Sequence, residues 1–160
     1  MRALLLYNPA ATTTTARARD AIAQTLAERV KLEVAPTKRR DHASFLAAGA
    51  ADEGFDVVVV LGGDGTLNEV VQGVAHSQVR LAVVPGGSTN VYARSLGLPN
   101  DPVQASHEVV RLLAADHHRR VPLGEANERY FTFAAGFGLD ADHSFPTRRS
   151  SDLNRKEHNV

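Results

Sequence analysis

Val57-Val58-Val59-Val60-Leu61-Gly62-Gly63-Asp64-Gly65-Thr66-Leu67-Asn68-Glu69-Val70-Val71 carries an unbroken apolar run straight into a glycine-rich turn and then into a helical pattern. Five apolar residues in succession predict a strand buried on both faces. The glycines of the turn predict backbone with φ > 0 that passes close to a ligand. A helix starting near Thr66 aims its unpaired N–H groups and positive dipole end at the same spot, an arrangement that holds phosphate. Asp64 is the only side chain of the turn ionised at neutral pH, and it repels a bare phosphate. Either a metal ion bridges the two, or the carboxylate faces a hydroxyl or N–H groups. The local alternative is that Asp64 or Thr66 merely caps the helix. No Lys-Ser or Lys-Thr pair follows the glycines, which excludes a Walker A loop, and the glycine spacing is not that of the dinucleotide fingerprint.

A second unit of the same kind lies downstream, where Arg80-Leu81-Ala82-Val83-Val84 enters Pro85-Gly86-Gly87-Ser88-Thr89-Asn90 and then Val91-Tyr92-Ala93-Arg94-Ser95-Leu96-Gly97. If the two strands are parallel neighbours, both turns emerge at the carboxyl edge of one sheet, where open α/β folds bind ligands. Ser88, Thr89 and Asn90 then offer hydroxyl and amide groups to a ligand, or cap the following helix.

The rest of the chain alternates strand and helix. Ala3–Tyr7 predicts a first strand, about 16–30 a helix with Ala18, Ile22, Leu26 and Val30 on one face, and Leu32–Ala35 a short strand. A helix beginning near Asp41 as N-cap should bury Phe45, Leu46 and Ala50 and stop at Gly54; Asp101-Pro102 should start another that carries Val109, Val110, Leu112 and Leu113. This alternation with fully apolar strands predicts an α/β fold, a parallel sheet flanked by helices. After His118 the pattern changes to two strands, Arg120–Gly124 and Arg129–Ala135, around a polar turn at 125–128.

With 160 residues, 43% of them hydrophobic, the chain can fill one proper core. The 18 basic and 18 acidic residues balance, so nothing draws it generally to nucleic acid or to an anionic membrane. Without cysteine it has no disulfide, thiolate catalysis or zinc-thiolate site. The first apolar stretch is too short for a signal peptide and no run reaches the length of a membrane span, so a cytoplasmic location is expected. His117-His118 are adjacent rather than at ligand spacing. Lys38-Arg39-Arg40, next to Thr37, either touches a nucleotide phosphate or, the favoured reading, is a solvated loop. Glu69, one turn into the helix, either reaches back to a metal or ribose or acts as a capping partner for Thr66.

The two glycine motifs together, with Asn68-Glu69, with Asn8-Pro9 after the first strand and with Thr37 after the second, resemble the catalytic-domain signature of the diacylglycerol kinase and sphingosine kinase superfamily, whose fold is of the NAD kinase and diacylglycerol kinase N-terminal type. The resemblance covers about residues 1–142 and is nearest to the compact bacterial soluble lipid kinases. It implies a nucleotide-binding catalytic domain over 1–123 and, over 124–142, the start of a second, mostly β domain entered through Gly136–Ala141, the remainder being absent. Residues 143–160 break the pattern and read as a disordered, non-native tail similar to a translated sequencing adapter; a basic phosphorylatable tail around Arg148-Arg149-Ser150-Ser151 is the alternative. One departure is the loop Ala10-Ala11-Thr12-Thr13-Thr14-Thr15, which offers four hydroxyls where the family has a glycine turn.

The function so implied is phosphoryl transfer from ATP to the hydroxyl of diacylglycerol or a related lipid alcohol at the membrane surface. Gly62, Gly63, Gly65 and Thr66 contact phosphate, Asn8, Thr37, Asn68, Glu69 and Ser88 complete the nucleotide site, and Asp64 partners Mg2+ through water. The general base of the family is an Asp of the second domain; no residue here corresponds to it, so the fragment is expected to bind ATP but to be catalytically incomplete. The alternatives are an NAD kinase-like enzyme, disfavoured by the Pro85–Asn90 motif, a phosphofructokinase, for which the chain is too short, and a nucleotide-binding module without catalysis.

Overall fold

The structure, a computed structural model, describes residues 1–11 and 14–133 and the backbone of His158–Asn159. Four parallel strands, β1 (Arg2–Tyr7), β2 (Lys31–Pro36), β3 (Val57–Gly62) and β4 (Arg80–Pro85), form one sheet in the order β2-β1-β3-β4. Helices α1 (Ala16–Ala27), α2 (His42–Asp52), α3 (Asp64–Val74), α4 (Val91–Ser95) and α5 (Pro102–Ala114) connect or follow them. A hairpin of β5 (Pro122–Ala126) and β6 (Arg129–Phe131) comes next, and the two residues of β7 (His158–Asn159) lie antiparallel to β5. No helix among the described residues is long and apolar enough to cross a membrane.

The predicted α/β architecture is the observed one, and strand period explains how its core divides. Leu4, Leu6, Val58 and Val60 face one way and pack against α2 and α3, whereas Ala3, Leu5, Val57 and Val59 face the other and pack against α1 and α5. Val57 through Val60 have no exposed surface, as a central strand covered on both faces requires. Asp101 caps α5 as expected, its side chain accepting from the Gln104 N–H at 2.8 Å, and Thr15 does the same for α1.

Several local expectations are corrected. No glycine of either turn has positive φ, and in the second turn Asn90 takes that conformation instead, at φ 49°; among the described residues the glycines with positive φ are Gly54, which ends α2, and Gly97, after α4. Helix α3 begins at Asp64 rather than near Thr66, and α1 stops at Ala27, leaving Val30 to be buried at the approach to β2. Asp41 occupies the N-cap position of α2 but at φ 60°, with no side-chain bond to the helix. Phe45 is 72% exposed instead of buried and stacks on His42. The buried stripe of α2 is Ala43, Ala47 and Ala50, because Gly73 of α3 crosses there too closely for larger side chains. The second strand after His118 ends at Phe131, and the turn narrows to Asn127-Glu128, both at positive φ as in a type I′ hairpin. The Gly136–Ala141 motif and nearly all of the 143–160 tail lie outside the described residues.

The α2–α3 crossing gives the first prediction. A Cβ on Gly73 would lie 2.5 Å from the Ser44 carbonyl oxygen and 2.6 Å from the Ala48 nitrogen, whereas one on Gly49 meets nothing nearer than a flexible Glu53 oxygen at 3.6 Å. Gly73→Ala should destabilise the chain by about 1–3 kcal/mol. Gly49→Ala, in the same helix pair, should stabilise it by about 0.5–1 kcal/mol. Urea unfolding of both variants checks the pair, and equal effects would contradict the packing described.

Candidate functional site

Strand register brings the predicted site residues to one edge. Tyr7 is level with Pro36 on one side and Leu61 on the other, and Gly62 with Pro85. Asn8, Thr37, Gly63 and Gly86 therefore leave the sheet side by side at its carboxyl end, beside the point where β1 lies between chain segments that depart in opposite directions. The Asn8 side chain closes its own turn by accepting from the Ala10 N–H at 2.9 Å, and the buried Thr37 ties its loop to β1 through its N–H and the Tyr7 carbonyl at 2.8 Å.

The two glycine turns touch through their backbones. The Gly86 N–H donates to the Gly62 carbonyl at 2.9 Å, and a Cβ on Gly87 would stand 2.6 Å from the Gly63 Cα. Glycine is needed here because one backbone lies against another. Gly65 differs: a Cβ there meets nothing within 4 Å, so this position opens to solvent over the first turn of α3. Gly63, the N-cap of α3, has no side chain to satisfy that turn's N–H groups.

Asp64 is neither a cap of its own helix nor free. Its Oδ2 accepts from the Val91 N–H at 2.9 Å and its Oδ1 from the Tyr92 N–H at 3.0 Å, so the first motif fastens the helix that follows the second. Each carboxylate oxygen retains acceptor capacity after one bond. Asn90 closes the second turn, its amide accepting from the Gly87 N–H at 2.9 Å and donating to the Gly87 carbonyl at 2.8 Å, while Ser88 and Thr89 are exposed. Glu69 Oε2 accepts from the Ala43 N–H at 3.3 Å, supplying the cap that Asp41 does not. Thr66 faces Gly62 across the turn. Burial pushes the Tyr92 phenol above its ordinary value, with Arg119 opposing, so it stays neutral at physiological pH.

Thr14 Oγ1 at these turns is buried without a hydrogen-bond partner, and so is Asn68 Oδ1, one helical turn along α3. Leaving such an atom unpaired costs about 1–3 kcal/mol, and a bound polar ligand removes that cost. Thr14 Oγ1 lies 3.1 Å from where a Gly86 Cβ would be, so it points at the glycine pair; it belongs to the threonine loop, of which Thr12 and Thr13 fall outside the described residues. No group of three or more His, Asp or Glu among the described residues could hold a metal ion by itself. The one acidic side chain of the turns, Asp64, suits magnesium in its common manner, one carboxylate with phosphate and water as the other ligands. The sequence did not reveal the Gly62–Gly87 contacts, because their partners lie more than twenty residues apart, nor the role of Gln72, whose partner is in β6.

The model of the diacylglycerol kinase catalytic domain family matches residues 2–126. The chain is 36% identical over 113 residues to a diacylglycerol kinase of Staphylococcus haemolyticus, covering 69% of this chain and 33% of that protein. It is 33% identical over 156 residues to one of Staphylococcus saprophyticus, covering 91% and 48%. The crystal structure of a diacylglycerol kinase from Bacillus anthracis superposes with a TM-score of 0.71 at 30% identity, covering 81% of this chain and 47% of that one. The chain thus spans between a third and a half of the length of these relatives.

The link from Asp64 to α4 is testable by itself. Asp64→Ala removes both acceptors and should speed amide exchange at Val91 and Tyr92 while lowering stability by about 1–3 kcal/mol. Asp64→Asn, which keeps one acceptor, should lose less. Unchanged exchange at both amides in the alanine variant would show that the carboxylate does not hold α4.

Proposed function

The chain belongs to the diacylglycerol kinase catalytic domain family, and on that premise we propose that it binds ATP across its two glycine turns as the nucleotide half, residues 1–123, of a lipid kinase. The observation that carries this reading is the pairing of an uncapped α3 N-terminus, open over Gly65, with a second glycine turn held against it. The overall reaction moves the γ-phosphate to the hydroxyl of diacylglycerol or a related lipid alcohol, presented from a membrane surface to an enzyme in the cytoplasm. Residues 124–142 begin the second domain.

The residues divide the work. The first-turn N–H groups of α3 and the backbone of Gly62 and Gly63 bind phosphate oxygens, aided by the helix dipole. Asn8, Thr37, Asn68 and Ser88, with the Thr14 hydroxyl, would line the nucleotide site, where Thr14 Oγ1 and Asn68 Oδ1 are otherwise unsatisfied. Asp64 is the residue that would hold magnesium, through water, and the ion would supply positive charge to offset that of the phosphates. Because Asp64 also anchors α4, it keeps the two turns at a fixed separation, which is positioning rather than proton transfer. Glu69 supports the start of α2 through the Ala43 N–H. No general base is assigned to a residue of this chain.

Gly65 separates ligand binding from folding. A side chain there enters open space, so Gly65→Val should fold with unchanged melting behaviour yet occupy the phosphate position. Calorimetric titration with Mg-ATP should show affinity reduced by about tenfold or more, a loss near 1.4 kcal/mol. Gly63→Val is a poorer probe, since its Cβ would meet the Gly87 Cα at 3.2 Å and disturb the fold as well. Equal ATP affinity in Gly65→Val and wild type would overturn the proposed site.

A further inference from the structure

Helix α3 does two jobs from its two ends. Its first turn is the glycine motif, and Gln72, about 12 Å further along the axis at 1.5 Å per residue, grips the hairpin. Gln72 Nε2 donates to the Tyr130 carbonyl at 2.8 Å and Oε1 accepts from the Tyr130 N–H at 2.9 Å. This is the pair of bonds that a neighbouring strand would make, and among the described residues β6 ends its sheet, with β5 on its one paired side. The amide is oriented by a third bond, Nε2 to the Asn68 carbonyl at 2.9 Å, so both of its donors and its acceptor are engaged. One turn on, His76 Nε2 lies 2.6 Å from the Tyr130 hydroxyl. The two strands of the hairpin are also joined side chain to backbone, because Phe131 lies across Gly124 on the paired strand. In the same seam, Asn68 is one turn before Gln72 and Thr132 two residues after Tyr130, and each has a buried oxygen without a partner.

We propose that Gln72 is a positioning residue: by standing in for a strand beside Tyr130, it fixes the 122–131 hairpin at a set place relative to the glycine turn. The link to nucleotide occupancy rests on the function proposed above, whereas the grip on Tyr130 does not. Ligand at the first turn of α3 orders the helix, and Gln72 passes that order to the hairpin.

The test is amide hydrogen exchange of the whole chain with and without Mg-ATP, read at Tyr130 against Leu67 and Val70 as internal controls for folding. Q72A should lower Tyr130 protection by about tenfold, leave Leu67 and Val70 protected and leave ATP affinity unchanged. Q72E keeps the acceptor and loses the donors, so it should be intermediate at neutral pH and recover protection as its carboxyl is protonated and can donate again. Mg-ATP should slow Tyr130 exchange in the wild type and not in Q72A. Equal Tyr130 protection in wild type and Q72A, or Q72E matching Q72A at every pH, overturns the positioning role. ATP that binds but leaves wild-type Tyr130 exchange unmoved overturns the link to the site. Failure of ATP to bind the wild type overturns the nucleotide reading instead, with the Q72A comparison still deciding the grip.

Discussion

The contact of one glycine pair with the other is the constraint on which the site depends. Gly62 and Gly63 end a strand that is wholly buried, Gly86 and Gly87 end its parallel neighbour, and the two turns approach until no side chain fits between them. A sheet register alone would bring the turns near each other. The Gly86 N–H to Gly62 carbonyl bond and the missing Cβ atoms bring them into contact, and that leaves the N-terminus of α3 facing solvent beside a second polar loop. Any ligand bound there meets two loops whose relative position is already set.

Charge is placed with the same economy. Asp64 stands at the start of a helix, where a carboxylate is favoured by the dipole, and spends two acceptors on the N–H groups of Val91 and Tyr92. It thereby ties the two motifs together side chain to backbone, as the glycines do backbone to backbone. Glu69 and Gln72, further along α3, carry the connection outward to α2 and to β6. Helix α3 is the part that all of these contacts share, so its position determines both the turn and the hairpin.

The fold was legible because burial imposes period on sequence. The Val57–Leu61 run could only be a central strand, and the repeated strand-turn-helix unit fixed a parallel sheet with its loops at one edge. Contacts between distant segments were not legible. The glycines read as positions of unusual φ, but their φ values are ordinary and the requirement is space, which one segment alone does not disclose. Phe45 read as core because it is large and apolar, yet the α2–α3 crossing admits only alanine and glycine, and that depends on Gly73, twenty-eight residues away. Asp41 read as the cap of α2, whereas that cap comes from Glu69 of α3. Asn8, Thr37, Gly63 and Gly86 do gather at one edge as the motifs implied, since strand order follows from pattern even when side-chain partners do not.

The most direct measurement is a backbone amide map of the chain by nuclear magnetic resonance during titration with Mg-ATP. Shifts gathered at Gly62–Thr66 and Gly86–Asn90, with Asn8 and Thr37, are the result expected if the paired glycine turns form the nucleotide site. Shifts gathered instead along the open groove beside β4, at Arg80 and His117–Arg120, with the glycine turns silent, would contradict it.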